Sequence, residues 1–244
     1  MTNEKRSVLV TGASRGLGRA LAERFAERGD EVVLVARSEA ALADVVRGIR
    51  DRGGEAHAVV GDVGDKHAIH RIASAAQALA GPIEVLVHDA STLGPSPLAL
   101  VLDTECEDLE YALAVNLVGP MRLTKALAGP MVLRRRGTIV HISSDAAVNA
   151  YPTWGAYGAS KAALDHLSAT LAAELAESGM RSFSVDPGEM DTAMHREAIP
   201  DADPATLRDP RDVAARIVAL VDDPELAPNG SRVVVDVPPK GARS

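Results

Sequence analysis

Tyr157 and Lys161 stand four residues apart in AYGASK (156–161). On a helix that spacing puts both side chains on one face, one turn apart. A free phenol holds its proton up to pH about 10. At an effective dielectric of about 20, unit charges ~4 Å apart interact by about 4 kcal/mol, worth about three pKa units. A lysine ammonium so placed stabilises tyrosinate, so the pair is expected to bring the phenol toward neutrality, where it can exchange a proton with a reacting oxygen. The same spacing arises by chance in many helices, so the surrounding chain must decide.

A second group is TGASRGLG (11–18), where the apolar run 7–11 ends and a helical pattern over 16–28 begins. Gly12 allows a tight turn, and Gly16 and Gly18 let the backbone approach a pyrophosphate at the positive end of the helix. Ser14, Arg15 and Leu17 belong to the same loop. At the end of the second strand, where an acid would read a ribose 2′-hydroxyl, the chain has Ala36-Arg37-Ser38. Arg37, with Arg15 as a second cation, matches a 2′-phosphate in charge and geometry. The expected cofactor is therefore NADP(H) in preference to NAD(H).

The elements that must position these residues alternate along the chain. Apolar runs at 7–11, 31–36, 55–61, 82–87, 137–143, 180–186 and 231–237 read as strands. Helical patterns lie at about 16–28, 39–51, 65–80, 153–178 and 210–222. A long, mostly helical stretch runs from the fourth strand to Arg136, interrupted at Gly119-Pro120 and Gly129-Pro130. Strands apolar throughout imply burial on both faces. The expectation is an α/β fold: a doubly wound, Rossmann-type, mostly parallel seven-stranded sheet with helices on both faces, as one domain over 1–244.

Composition narrows the classes. The 34 acidic and 26 basic residues give a net charge of −8, against bulk nucleic-acid binding and against an anionic membrane surface. No run approaches the ~18 apolar residues of a membrane span, and MTNEKRSVLV carries no signal-peptide pattern. The single cysteine, Cys106, fits a reducing cytoplasm. Nothing in the sequence points to a metal site.

Taken together, the glycine loop and Tyr-x-x-x-Lys resemble the short-chain dehydrogenase/reductase family, over nearly the whole chain. The family's Thr-Gly-x-x-x-Gly-x-Gly matches Thr11, Gly12, Gly16 and Gly18. Its serine falls on Ser144, thirteen residues before Tyr157, and its helix asparagine on Asn116. Its aspartate near the adenine matches Asp62, beside Val63, and its Pro-Gly and following threonine match Pro187, Gly188 and Thr192. The resemblance implies hydride transfer between a nicotinamide and a carbonyl or alcohol. Tyr157 would be the proton donor, Lys161 would hold the ribose, Ser144 the substrate oxygen, and Asn116 a water relay. It also implies a homodimer or homotetramer paired through 104–135 and 153–178.

One segment departs from the family. Where Asn-Asn-Ala-Gly is usual, the chain has His88-Asp89-Ala90-Ser91, of which only Ala90 agrees. His88 and Asp89 could replace the asparagines' hydrogen bonds, but a carboxylate there stands near the pyrophosphate. Asp145 reads as a turn or cap residue, and His141 as structural. The loop over about 188–209 is expected to cover a small-molecule substrate, with Met190, Ala193, Met194 and Ile199 as apolar lining. Its acidic residues disfavour an acidic carrier protein. The competing reading is a non-catalytic dinucleotide sensor on the same fold. A sugar-nucleotide epimerase is disfavoured, since no separate substrate domain fits.

Overall fold

A computed structural model describes residues 5–242; residues 1–4, into which the reading of the N-terminus extends, and 243–244 lie outside the described residues. Seven strands form: β1 (Ser7–Thr11), β2 (Glu31–Ala36), β3 (Glu55–Val60), β4 (Val85–His88), β5 (Gly137–Ile142), β6 (Met180–Asp186) and β7 (Arg232–Val234). They pair in parallel throughout, in the order β3-β2-β1-β4-β5-β6-β7. The winding reverses between β1 and β4, and at that switch the carboxyl ends of the strands leave a crevice.

Burial follows the order. Val8, Leu9 and Val10 of β1 and Leu86 and Val87 of β4 are fully buried, while β3 at the edge buries only Ala56 and Val59. One face of the sheet is covered by α1 (Gly16–Glu27), α2 (Glu39–Asp51) and α8 (Pro210–Asp222), around Phe25, Leu42, Phe183 and Ile217. The other is covered by α3 (Ile69–Ala80) and α5 (Gly119–Arg134), around Ile72, Leu86, Leu123 and Ile139. Between these, α6 (Gly155–Glu174) packs on β5, β6 and α4 (Cys106–Leu113). A short α7 (Ala193–Ala198) lies beyond β6. Among the described residues no helix is long and apolar enough to cross a membrane.

The stretch after β4 departs from the expected pattern. Residues 89–100 are irregular, α4 starts only at Cys106, and a π-turn over Ala114–Val118 leads into α5. Pro120 occupies the first turn of α5, where an N–H has no helical partner to lose. Pro130 does not interrupt: α5 runs on to Arg134, because Leu127 and Met131, at 1% and 0% exposure, hold both sides of it in the core. Arg134, Arg135 and Arg136 close the helix and tie its end to Ile83, Glu177 and Glu84.

Candidate active site

A cleft of about 1040 Å³ runs along the carboxyl ends of β1 to β6. Every residue expected at the site lines it except Gly18, beneath the glycine turn, and Asn116, behind the wall.

At one end the wall is backbone. Gly12 has φ +72°, and a Cβ there would lie 2.9 Å from the backbone of Ala90. A Cβ on Gly18 would fall 2.6 Å from the Gly12 carbonyl oxygen and 2.5 Å from Asp89 Oδ2. Thr11 Oγ1 accepts from the N–H groups of Asp89 and Ala90 at 3.0 and 3.1 Å, pinning the end of β4 to the end of β1. The N-cap of α1, Arg15, is extended and makes no side-chain capping bond. First-turn N–H groups thus face the cleft without a side-chain cap, a donor set that fits a diphosphate. Farther along, the Arg37 side chain is 68% exposed and sits 3.3 Å from Tyr111 Oη and 4.0 Å from Asp62 Oδ2. Its free guanidinium face fits a 2′-phosphate. Ser38 caps α2, accepting from Ala41 N–H at 3.3 Å, and Asp62 accepts from Gly64 N–H at 2.8 Å. Val63 and Ala90 line the cleft between these ends, with Pro187, Gly188 and Thr192 opposite. A Cβ on Gly16 would lie 3.6 Å from Thr192 Cγ2, so the segment after β6 closes against the glycine loop.

At the other end the polar atoms belong to side chains. Tyr157 and Lys161, both buried, lie in the first two turns of α6. Lys161 Nζ donates to the Ile142 carbonyl at 2.7 Å and stands 5.5 Å from the Tyr157 ring centroid. Ser144, just past β5, stands near enough to the phenol to lower its pKa and donates to Asp145 Oδ1 at 3.0 Å. Asn116, in the π-turn, accepts from Thr92 N–H at 2.8 Å and donates to the Thr92 carbonyl and Ser160 Oγ. Its amide is engaged in joining the loop after β4 to α6.

The sequence profile of the family described as short chain dehydrogenase matches residues 6–203. This chain belongs to that family. It is 33% identical over 243 residues to 3beta-hydroxysteroid dehydrogenase 1 of Eggerthella lenta, covering 95% of this chain and 92% of that protein. It is 35% identical over 192 residues to a short chain dehydrogenase of Pseudocercospora fijiensis, of which it spans 61%. Among solved structures, a polyketide ketoreductase of the actinorhodin system, crystallised with NADPH, superposes with a TM-score of 0.88 at 25% identity over 98% of both chains. A short chain dehydrogenase from Pseudomonas syringae superposes at 0.87, with 31% identity and 94% of both chains covered. The chain is thus an NAD(P)-dependent oxidoreductase, which sets aside the sensor reading.

The electrostatics of this dehydrogenase correct one expectation. The Tyr157 phenol is pushed above its ordinary range, not toward neutrality. Burial is the main cause, opposed by Ser144 and reinforced by the carboxylates of Asp145, Asp186 and Asp89. A two-charge sum omits that desolvation and those three carboxylates. Burial also draws Lys161 down to about 8, against the pull of Asp89 and Asp165. His141 is drawn down to about 3 by burial and by Lys161, and His88, stacked on it at 5.1 Å, lies well below its usual range for the same first reason. Both are neutral at physiological pH. His88 bonds Thr124 at 2.9 Å, filling an internal role in the segment that departs from the family pattern.

Several lining residues carry no signal in the sequence. Trp154 meets Tyr157 edge-on at 5.7 Å, and Leu93, Leu98, Met194 and Ala198 complete an apolar wall around the phenol. Met194 was legible as lining from its place after Pro187-Gly188; the others come from loops or short helices whose neighbours only the fold assigns. Tyr111 at Arg37 and Tyr151, whose hydroxyl donates to Asp145 Oδ2 at 2.8 Å, belong to the same class. Asp145 is therefore a partner of Ser144 and Tyr151 as well as the first residue of a 3₁₀ turn.

Proposed function

We propose that this dehydrogenase, as one domain over 1–244, is an NADPH-dependent carbonyl reductase in which Tyr157 donates the proton. One juxtaposition carries the reading: a phenol beside Ser144 and one turn from Lys161, in the same cleft as a helix N-terminus whose N-cap side chain makes no capping bond. When bound, NADPH supplies a hydride to the carbonyl carbon. The chain's residues do the rest. Ser144 and the phenol hold the carbonyl oxygen, and the phenol releases its proton as that oxygen gains charge. Lys161 holds the ribose and offsets the charge left on Tyr157, while Asn116 fixes the loop and helix that flank them. A phenol held above its ordinary pKa remains protonated at neutral pH, as a donor must. Alcohol oxidation starts from tyrosinate, which the nearby carboxylates of Asp145 and Asp186 oppose.

Arg37, assisted by Arg15, selects NADP(H) over NAD(H). The substrate is a small neutral ketone on an apolar body, since Leu93, Trp154, Met194 and Ala198 surround the phenol while Glu189 and Glu197 also line the cleft. The carboxylates disfavour anionic substrates and acidic carriers. The names of a hydroxysteroid dehydrogenase and a polyketide ketoreductase among its relatives suit such a ketone. The protein acts in the cytoplasm as a homodimer or homotetramer paired through α4, α5 and α6. The test is NADPH oxidation across neutral ketones, quinones and 3-ketoacyl thioesters. Consumption with neutral ketones is expected. NADPH binding without consumption by any of them would return the sensor reading.

A further inference from the structure

Asp89 replaces an uncharged residue of the family pattern, and its surroundings give the change a consequence. Its backbone is fixed by Thr11, and its side chain reaches under the glycine turn. Oδ2 lies 3.1 Å from where a Cβ on Gly12 would stand and 2.5 Å from one on Gly18. The carboxyl faces the backbone of Gly18, in the first turn of α1, whose N–H helps to stabilise its charged form. That turn presents the donors and positive end of the helix dipole to the cleft. The chain therefore keeps an ionisable carboxyl of its own beneath the glycine turn, at the end of the helix that would face a dinucleotide's diphosphate.

The other charged or titratable groups around it are few. From α6 come the Lys161 ammonium, which stabilises the carboxylate, and the Tyr157 phenol. From β4 and β5 come His88 and His141, both neutral. Asp186 at the end of β6 and Asp145 after β5 act on the phenol, and α1 contributes backbone N–H. Against this single buried cation, burial lifts the Asp89 carboxyl to about 7.

We propose that Asp89 takes up one proton from solvent when the diphosphate of NADP(H) binds at the glycine loop. Anionic, it competes with the diphosphate for the end of α1; protonated, it does not. This rests on the cofactor site proposed above. The sign follows from the two states. Bound diphosphate disfavours the carboxylate, so the carboxyl pKa is higher in the complex than in the free protein. Affinity is then full below the free protein's pKa and falls as pH rises through it. With a free value of about 7, the NADPH dissociation constant is expected to rise about tenfold between pH 6 and pH 8.

Lys161 titrates nearby and in the same sense, so the test needs a signal specific to a carboxyl. Infrared difference spectra at pH 7.5, with and without NADPH, should gain the C=O stretch of a protonated carboxyl in the wild type and lack it in Asp89→Asn. Asparagine retains an acceptor for Gly18 N–H; Asp89→Ser serves if it fails to fold, and the wild-type band is read without any variant. Fluorescence titration should give a smaller rise of the dissociation constant with pH in the variant. NADPH binding to the wild type with no carboxyl band, or with the same pH dependence in both proteins, overturns this inference and leaves the cofactor site standing. Failure of the wild type to bind NADPH at any pH overturns both.

Discussion

The two ends of the cleft are built from different materials. At the glycine end, hypothetical Cβ atoms on Gly12 and Gly18 collide with backbone atoms of Ala90 and Gly12, so strand, turn and helix leave no room for side chains. Around the phenol, the wall is Leu93, Trp154, Met194 and Ala198, brought together from two loop segments and the short α7. A wall of backbone serves any ligand carrying a diphosphate. A wall of side chains can be rebuilt without disturbing the sheet. The first end sets what kind of reaction is possible, and the second sets on what.

Removing the phenol's oxygen tests this division most severely. Tyr157→Phe should lower turnover roughly 10³-fold, the usual scale for losing a positioned acid. The NADPH dissociation constant should stay within about twofold, since the diphosphate donors lie at the opposite end. Stopped-flow turnover and fluorescence titration read the two separately. Normal turnover would remove Tyr157 from the mechanism, and lost binding would mean that the ends are not independent.

The catalytic end also depends on a residue from the far side of the sheet. Arg232, at the start of β7, donates to Asp165 at 3.0 Å, to Asp186 at 2.9 Å and to the carbonyl of Ser144 at 2.8 Å. Its side chain is 23% exposed, and those of Asp165 and Asp186 are 16% and 6%. Arg232→Ala leaves one buried and one half-buried carboxylate without their cation. The expected loss is about 3 kcal/mol, at the low end for a broken buried pair because the arginine is partly solvated. Urea unfolding checks it; a change below about 1 kcal/mol would make this network ornamental to the fold.

Legibility in the sequence divides along the same line. Strands and glycine turn are fixed by period and spacing, so β1, β2 and the TGASRGLG loop stand where the sequence put them. Tyr157 and Lys161 could be set on one helix face from their spacing, whereas Ser144 was singled out only by its match to the family's serine. Trp154, Leu93 and Tyr111 were not legible, since they sit on irregular segments or a helix whose neighbours only the fold assigns. Segment 89–100 was misread as mostly helical; its backbone is instead held by Thr11 and Asn116, partners far away in sequence. The direction of the phenol's shift failed for a related reason. It depends on burial and on Asp89, Asp145 and Asp186, which converge from three strand ends.

A gentler test bears on the glycine end. Arg37 is mostly exposed, and its nearest polar groups are Tyr111 and Asp62. Arg37→Asp should shift the NADP(H)/NAD(H) preference toward NAD(H) by about thirtyfold, equivalent to about 2 kcal/mol for one charge-assisted contact. An unchanged ratio of kcat/KM values for the two cofactors would take cofactor choice away from this position and leave Arg15 to account for it.

The smallest effect is expected where the wall is most replaceable. Trp154 packs edge-on against Tyr157 and contributes apolar surface that a ketone would cover. Trp154→Ala should raise KM for an apolar ketone about tenfold, from lost contact area and one aromatic pairing. The turnover number should stay within about twofold, because the phenol retains Ser144 as its partner. Steady-state kinetics with one apolar and one small polar ketone make the split visible, since the polar ketone should barely respond. A fall in kcat with unchanged KM would instead make Trp154 a positioning residue for the phenol. The substrate wall and the catalytic group would then be a single unit, and specificity could not be rebuilt at this end without loss of rate.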